Sequence, residues 1–404
     1  MFQKVKLLMI VSTFLFTAQS VAQNQTSIKP NRTPAQLNQD LADVYNDYKA
    51  RFLKSTPSGN FYINARGTGH DGARCATQSE AHGYGMMVFA LAKHDDSAKI
   101  IFDGMNQLRK ANPSTVNSAL MSWIVFPEHT DNTDHSLTPA GEHNGPPGRR
   151  ASATDGDLDM AYALLLAHAR WKEQSYLDEA KIVINALKES CMGKNTLRTT
   201  LGDWANFEGA EYNTRPSDWM PGHFRAFAKA TNDKFWLHAA DTVYALIEQL
   251  NAHNSGTGLI PDFATGRPIK PDPRGGGADE NNNFIHYSYN ACRVPWRIGT
   301  DWIHHKTPAA AAQINKISTW LRGATDSNPE KVMGGYYLDG RVLNNWKGGM
   351  PFVAPFAVGM TADTANQEFL NAAWEMIRNN KHSSYGAAIQ VLCMFLITGN
   401  WEAP

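Results

Sequence analysis

Three acidic residues of this 404-residue chain fall where a long loop turns into a predicted helix. They are Glu80, Asp155 and Asp218. Two carboxyl groups together can hydrolyse a glycosidic bond, because one protonates the leaving oxygen while the other activates a water molecule. Acidic residues are also common in the first turn of a helix, where they cap free N–H groups and interact favourably with the helix dipole. Taken singly, each residue therefore fits either explanation.

Two glycines, Gly83 and Gly85, follow Glu80 inside the same predicted helix. Glycine weakens a helix by about 1 kcal/mol relative to alanine, so its presence here needs a reason. A glycine allows another group to approach the backbone closely. We therefore expect a ligand such as a sugar ring to lie against this helix.

Three aspartates alternate at Asp155, Asp157 and Asp159, as the ligands of a calcium loop do. The remaining positions of that ligand pattern are missing, and an apolar helix follows at once. No CxxC or HExxH pattern occurs elsewhere. We therefore expect no metal ion and no other cofactor.

Aromatic residues are frequent near the same loop ends. Because sugar rings present C–H faces that pack on aromatic planes, such a set favours a glycan-binding cleft. Any one of them, taken alone, is more often a residue of the core. The set comprises Trp123, Phe126, Trp204, Trp219, Tyr287, Tyr289 and Trp296.

Apolar residues recur at a spacing of about 3.6, which predicts a mainly helical protein. The connections between the predicted helices alternate between very short and very long, which favours six antiparallel pairs arranged in a ring. An irregular helical bundle fits the same pattern. In a ring, all the long loops would leave at one end, and long loops usually carry function. The twelve predicted helices cover 34–52, 82–94, 97–111, 155–171, 177–190, 217–231, 235–251, 290–304, 308–322, 352–361, 364–380 and 384–397.

The composition is that of a globular protein, with 42% hydrophobic and 19% charged residues. Thirty-eight basic residues balance thirty-eight acidic ones, so the chain has no strong field that would attract nucleic acid or an anionic membrane. We expect neither partner. A chain of this size can bury its own core, and we expect a monomer.

The first 22 residues resemble a secretion signal. Lys4 and Lys6 precede an apolar run over 7–17, and small residues follow up to Ala22. The run is too short to span a bilayer. We therefore predict a secreted or periplasmic protein whose mature chain is a single domain over 23–404. Whether any of its four scattered cysteines pair is left open by their spacing.

The strongest motif is the nineteen-residue segment 153–171, ATDGDLDMAYALLLAHARW. This segment resembles the signature of glycoside hydrolase family 8. The similarity continues in Ser79-Glu80 and in three further segments, and together these span almost the whole mature chain. The three are 215–221 (RPSDWMP), 289–297 (YNACRVPWR) and 398–401 (TGNW).

The resemblance implies an all-α fold, the (α/α)6 barrel of six helical hairpins, and hydrolysis with inversion at the anomeric carbon. It implies that Glu80 is the general acid and that Asp155 holds and distorts the sugar at the cleavage point. A general acid must keep its proton near neutral pH. We therefore expect Glu80 to be partly desolvated or close to another carboxylate.

The position of the general base differs from that in many family members. Those members have an aspartate directly before the Ala-Cys-Arg run. Here that position is Asn290, and an amide cannot take a proton from water. The asparagine form resembles a second subfamily, in which an upstream loop supplies the base. That loop is 275–283, GGGADENNN, and Glu280 is the predicted base, with Asp279 as the second choice.

The predicted substrate contacts surround these groups. They are Trp123, Trp204, Asp218, Trp219, Tyr289, Asn290 and Arg293.

The resemblance includes enzymes that act on cellulose, mixed-linkage β-glucan, chitosan and xylan. The asparagine form favours chitosan, cleaved at internal β-1,4 linkages. The alternatives are a mixed-linkage β-glucanase and an endo-1,4-β-glucanase. Because chitosan carries protonated amines, its cleft would offer extra carboxylates, and the candidates are Asp218, Glu208, Glu211 and Asp279. A more remote alternative is a glycan-binding protein that lost its base.

Overall fold

The structure is a computed structural model that describes residues 27–65, 75–125, 150–275 and 284–404. Within these ranges the chain forms twelve α-helices, one for each helix that the sequence predicts. The predicted signal over 1–22 lies outside the described residues, and so export stays a prediction. The helices are α1 (Pro34–Phe52), α2 (Ser79–Leu91), α3 (Ala98–Ala111), α4 (Thr154–Trp171), α5 (Gln174–Ser190), α6 (Pro221–Thr231), α7 (Phe235–Asn251), α8 (Val294–His305), α9 (Pro308–Thr325), α10 (Met350–Met360), α11 (Gln367–Asn379) and α12 (Ser384–Thr398).

The even-numbered helices form a closed inner ring. Each of them packs against the next, from α2 through α4, α6, α8 and α10 to α12, and α12 packs against α2. Each odd-numbered helix packs outside the even-numbered helix that precedes it, and α1 packs outside α12. The fold is therefore an (α/α)6 barrel, as predicted, and its sixth hairpin joins the first helix to the last.

Burial follows this arrangement. Every residue of α10 and all but one of α12 are buried, because an inner helix contacts neighbours on all sides. The outer helix α11 buries one face only, formed by Phe369, Leu370, Ala373, Trp374 and Ile377. Across the described ranges, no helix combines the length and the apolar composition needed to cross a bilayer.

Local sequence explains where helices begin and end. At the start of α1, the Thr33 hydroxyl accepts the Gln36 amide while the Gln36 side chain accepts the Thr33 amide. This reciprocal pair satisfies two N–H groups that the helix leaves free. The short turns after α4, α6 and α8 each begin with a residue in the left-handed conformation, which ends the helix abruptly. These residues are Lys172, Asn232 and Lys306.

Two inner helices begin later than predicted. Residues Pro216–Asp218 and Ala291–Arg293 each form a separate 3-10 turn before α6 and α8. These turns place Asp218 and Arg293 at the ends of the inner helices.

The long loops lead from outer to inner helices, so they lie at one end of the ring, called the mouth below. Short antiparallel strands brace them: β1 (Leu53–Ser55) with β2 (Phe61–Ile63), β3 (Thr77–Gln78) with β4 (Ile124–Val125), and β5 (Ala264–Thr265) with β6 (Lys270–Pro271). The β3–β4 pair fixes the start of α2, since the Ser79 amide donates to the Trp123 carbonyl at 2.8 Å directly after it.

The glycines after Glu80 serve helix packing, and the prediction of a sugar against them is wrong. A Cβ atom on Gly83 would lie 2.8 Å from the carbonyl oxygen of Gly156 in α4. A Cβ atom on Gly85 would lie 2.4 Å from the Ile63 side chain. Both positions are thus filled by the protein itself. Gly83 lets α2 and α4 approach closely, whereas Gly85 leaves room for the Ile63 side chain of β2.

The four cysteines all lie within the described ranges. Each is buried and none forms a disulfide bond. The barrel is therefore held together by its packing.

We expect Gly83→Ala to destabilise the protein by about 1 to 3 kcal/mol, the usual effect of overpacking a tight contact. The matched control is Gly323→Ala in α9, where nothing lies within 4 Å of the new Cβ. That variant should be neutral or more stable by up to about 1 kcal/mol. Urea unfolding measures both. Equal stability of the two variants would contradict the tight α2–α4 contact.

Candidate active site

The guanidinium group of Arg293 lies among the acidic and polar side chains at the mouth and contacts several of them. It is buried, and its Nη1 pairs with Glu80 Oε1 and with Asp155 Oδ2, the latter at 3.0 Å. Its Nη2 donates to the Ser217 hydroxyl at 2.8 Å and to the Asn290 side-chain oxygen at 3.1 Å. Burial lowers the pKa of Arg293 to about 10, so the group remains cationic at neutral pH. The two carboxyl groups predicted to do the chemistry therefore share one cation.

Glu80 lies in the first turn of α2 and is the more accessible of this pair, with its side chain 22% exposed. The Tyr84 hydroxyl, one helical turn further on, lies 3.4 Å from Glu80 Oε1 and donates to it. Glu80 is largely shielded from water and shares Arg293 with a second carboxyl group, that of Asp155. The role of Glu80 as the general acid stays a prediction.

Asp155 is almost fully buried at the start of α4. Besides the contact with Arg293, its Oδ1 accepts the Gly156 amide at 3.0 Å and pairs with Arg215 at 3.4 Å. These contacts fix the orientation of the carboxylate. A rigid carboxylate at the floor of the mouth can hold sugar hydroxyl groups in one position.

Asp218 lies behind this layer and is fully buried. Arg215 Nε donates to both of its oxygens at 3.1 Å, and the Ser217 hydroxyl donates to Oδ1 at 3.2 Å. Arg215 and Ser217 in turn contact Asp155 and Arg293. The structure thus places Asp218 where it positions the groups around it, and not where a substrate would touch it.

The charges of this cluster do not balance when every group is ionised. Three carboxyl groups, Glu80, Asp155 and Asp218, face two guanidinium groups, Arg215 and Arg293. One bound proton would make the cluster neutral. Burial raises the pKa of Asp218 to about 7; Arg215 opposes the rise and Asp155 adds to it.

Asn290 is oriented by the same cations. Its side-chain oxygen accepts from Arg293 at 3.1 Å and from Arg215 at 3.4 Å, and its carbonyl accepts from Arg293 Nε at 3.2 Å. The side-chain amide of Asn290 therefore has a fixed orientation in the site.

The predicted base, Glu280, and its alternative, Asp279, lie outside the described residues. The two described ends of that loop lie against each other, since a Cβ atom on Gly275 would be 2.7 Å from the Phe284 ring. The chain then continues through Ser288 and Ala291, whose amides both donate to Asp262 Oδ1. The described residues on the two sides of this segment therefore lie close together, ahead of Asn290 in the chain.

The predicted aromatic contacts divide into two groups. Trp123 and Trp204 are partly exposed beside the starts of α2 and α4, and Tyr289 is 39% exposed beside Asn290. Trp219 is only 2% exposed, and its indole N–H donates to the Thr214 hydroxyl at 3.0 Å. Trp219 therefore packs in the core, where a sugar cannot stack on it. Tyr287 and Trp296 are also fully buried, and Phe126 lies outside the described residues.

The three alternating aspartates of α4 point in different directions, because successive positions are about 200° apart around a helix. Asp157 accepts the Met121 amide of the loop before α4 at 2.9 Å. Asp159 pairs with Arg297 at 2.6 Å and accepts from His223 Nε2 at 3.0 Å inside the ring. Among the described residues, no three His, Cys, Asp or Glu side chains are placed to hold a metal ion.

Sequence reasoning gave no role to Arg215, although it lies in a recognised motif. Nor did it single out Tyr84. The spacing of Glu80 and Tyr84 by four residues places both on one helix face, and this was the available signal.

The comparisons with known proteins agree with this geometry. The model of the family described as "Glycosyl hydrolases family 8" matches residues 38–332. The chain is 36% identical to an endoglucanase of Bacillus sp. strain KSM-330, over 93% of this chain and 80% of that protein. It is 34% identical to a β-glucanase of Niallia circulans, over 98% and 94% of the two chains.

Among solved structures, the apo β-1,3-1,4-glucanase of Paenibacillus sp. X4 superposes with a TM-score of 0.83 at 35% identity, covering 94% of this chain and 96% of that one. Rex8A of Paenibacillus barcinonensis, solved in complex with xylose, superposes with a TM-score of 0.72 at 18% identity, covering 92% and 94%. The second similarity shows the fold alone.

We expect Asp218→Asn to change how stability depends on pH. In the unfolded chain the pKa of an aspartate is about 3.9, below the folded pKa of about 7 for Asp218. Between about pH 4 and 7 the folded protein therefore binds an extra proton, and this part of its stability is lost as the pH rises to 7. The variant lacks this loss. The difference in melting temperature, variant minus wild type, should therefore be more positive at pH 7.5 than at pH 4.5.

The control for this experiment is Asp241→Asn, since that side chain is 72% exposed on α7. Its difference from wild type should be nearly flat over the same pH range. A flat difference for Asp218→Asn as well would show that Asp218 binds no extra proton in the folded state.

Proposed function

Because the chain belongs to family 8 of the glycosyl hydrolases, we propose that it is an inverting enzyme that cleaves internal β-1,4 linkages of a β-glucan. The observation that carries this proposal is the meeting of Glu80, Asp155 and Arg293 at the mouth of the barrel. The partly accessible Glu80 can supply the general acid, which is one of the two carboxyl groups that glycoside hydrolysis needs, while the fixed Asp155 beside it can hold the sugar.

The substrate proposal favours β-glucan over the chitosan predicted from the asparagine form. The relatives described above are named endoglucanase, β-glucanase and β-1,3-1,4-glucanase. Two carboxylates expected to bind chitosan amines have internal partners. Asp218 is held by Arg215, and Glu211 accepts the amides of Asn195 and Thr196. Of the other two, Glu208 is exposed, and Asp279 lies outside the described residues.

In the proposed mechanism, Glu80 donates its proton to the leaving glycosidic oxygen. While Glu80 is protonated, Asp155 still balances the charge of Arg293, so the cation does not require an ionised Glu80. Asp155 holds the sugar at the cleavage point in a distorted shape. Glu280 takes the proton from the water that attacks the opposite face of the anomeric carbon, and this displacement inverts the configuration.

The proposed substrate is tested by measuring reducing-sugar release from barley β-glucan, carboxymethylcellulose, chitosan and xylan in parallel. We expect the highest kcat/KM on one of the two glucans, because two of the four carboxylates expected to bind chitosan amines, Asp218 and Glu211, already have partners within the protein. Release from chitosan alone would overturn the β-glucan assignment. Binding to a glycan without turnover would instead identify a binding protein.

The proposed roles are tested by Glu80→Gln and Glu280→Gln, with Asp279→Asn as the matched loop control. Each glutamine variant should lose at least about 100-fold in kcat, because acid or base catalysis contributes about 100- to 10,000-fold. Asp279→Asn should keep most of the activity. Proton NMR of the first product should show the inverted anomer.

Near-normal activity of Glu280→Gln together with loss in Asp279→Asn would move the base to Asp279. A retained anomeric configuration would contradict the mechanism as a whole.

A further inference from the structure

Two aromatic side chains that precede α8 and α10 remain exposed at the mouth, although most large apolar side chains of the described residues are buried. Tyr289 is 39% exposed and Trp346, in the loop before α10, is 49% exposed. Trp346 lies outside every motif used to recognise the family. Exposed neighbouring aromatics at a cleft have an unfavourable contact with water that a ligand can relieve.

The position of Tyr289 is fixed by contacts with three neighbouring side chains. It packs edge-to-face on Phe352 of α10, with ring centroids 5.2 Å apart. The Trp346 side chain lies close enough to the Tyr289 hydroxyl to oppose the rise in the pKa of Tyr289 that burial causes. The Tyr385 hydroxyl donates to the Tyr289 carbonyl at 2.7 Å. The two exposed rings are therefore neighbours in a fixed arrangement.

The loops that carry the two rings are joined to each other. Tyr287 and Tyr336 exchange two backbone hydrogen bonds of 2.9 Å, which link the segment before α8 to the segment before α10. The Gly334 amide donates to the Trp346 carbonyl at 3.0 Å, and a Cβ atom on Gly334 would lie 2.3 Å from the indole nitrogen. Gly334 is thus small because the indole lies against it.

The ring of inner helices fixes where this pair lies. Trp123 is bonded to the starts of α2 and α4, whereas Tyr289 and Trp346 precede α8 and α10. In a ring of six, α8 is opposite α2 and α10 is opposite α4. The catalytic carboxyls on α2 and α4 and the cation before α8 lie between, so aromatic surfaces flank the site on both sides.

We propose that Tyr289 and Trp346 together form an aromatic subsite that binds the glucan chain on the side of the mouth opposite Trp123. This inference rests on the proposed function, since it assumes that a polysaccharide crosses the mouth. The occupant is a pyranose ring of the β-glucan, whose C–H face packs on the indole while its edge contacts the tyrosine ring.

Such a subsite contributes to the binding of long chains and not to the chemical step. A contact that is equal in the ground state and the transition state lowers KM and leaves kcat unchanged. Short oligosaccharides that end before the pair gain nothing from it. The subsite therefore makes the enzyme prefer polymers over short chains.

The kinetic test compares Trp346→Ala with Trp346→Phe, which keeps an aromatic face, and with Ile182→Ala, an exposed control on the outer helix α5. For barley β-glucan we expect Trp346→Ala to raise KM about three- to tenfold, the range for losing one aromatic contact, with kcat within twofold. For the shortest cello-oligosaccharide that the wild type cleaves, kcat/KM should not change. Trp346→Phe should recover most of the loss.

The binding test needs no catalysis. In the Glu80→Gln background, migration through a native gel containing barley β-glucan should be slowed, and Trp346→Ala should reduce the slowing. Gly334→Ala, which displaces the indole without removing it, should act in the same direction. Equal slowing with and without Trp346 would overturn the subsite and leave the catalytic proposal intact. A parent protein that β-glucan does not slow at all would overturn the proposed occupant and the proposed substrate together.

Discussion

The structure of the mouth depends on the ion pairs of one buried guanidinium group. Arg293 precedes α8 and reaches across the ring to Glu80 on α2 and Asp155 on α4, and it also binds Ser217 before α6. A buried cation without partners is strongly unfavourable, so these contacts can form only together. Four of the six inner segments are thereby held in register at one point, and the accessible acid is fixed beside the rigid carboxylate.

A second charged layer repeats this arrangement one helical turn deeper. Asp159 follows Asp155 by four residues on α4, and Arg297 follows Arg293 by four residues, so each pair shares a helix face. Burial alone would raise the pKa of Asp159, but Arg297 and the hydrogen bond from His223 lower it below its usual value. Arg297 also lies over the Trp296 ring at 3.9 Å. The lower layer is closed to solvent and supports the upper layer from inside the ring.

Outer helices such as α11 carry a periodic apolar pattern, whereas inner helices such as α10 and α12 are apolar on nearly every side. The sequence predicted all twelve helices, and their alternating connections favoured the ring. It also placed Glu80 and Asp155 at one mouth, because both begin inner helices. It could not predict that Trp219 is buried or that Asp218 holds Arg215. The burial of a loop side chain depends on which distant segments cover it, and periodicity carries no information about that. The packing role of Gly83 was missed for the same reason, since Gly156, which touches it, is distant in sequence.

The sixth hairpin gives the ring an unusual dependence on distant parts of the chain. The helix α12 contacts α1, α2 and α10, so it covers apolar surfaces at both ends of the sequence. The Lys29 ammonium also donates to the Thr398 carbonyl at 2.7 Å. Any chain in which residues 384–398 are not yet in place exposes an apolar stripe along both of its open edges. Contacts between segments so far apart form slowly, and folding intermediates with such stripes tend to associate. Closure of the ring by α12 is thus the step at which the barrel loses its tendency to aggregate.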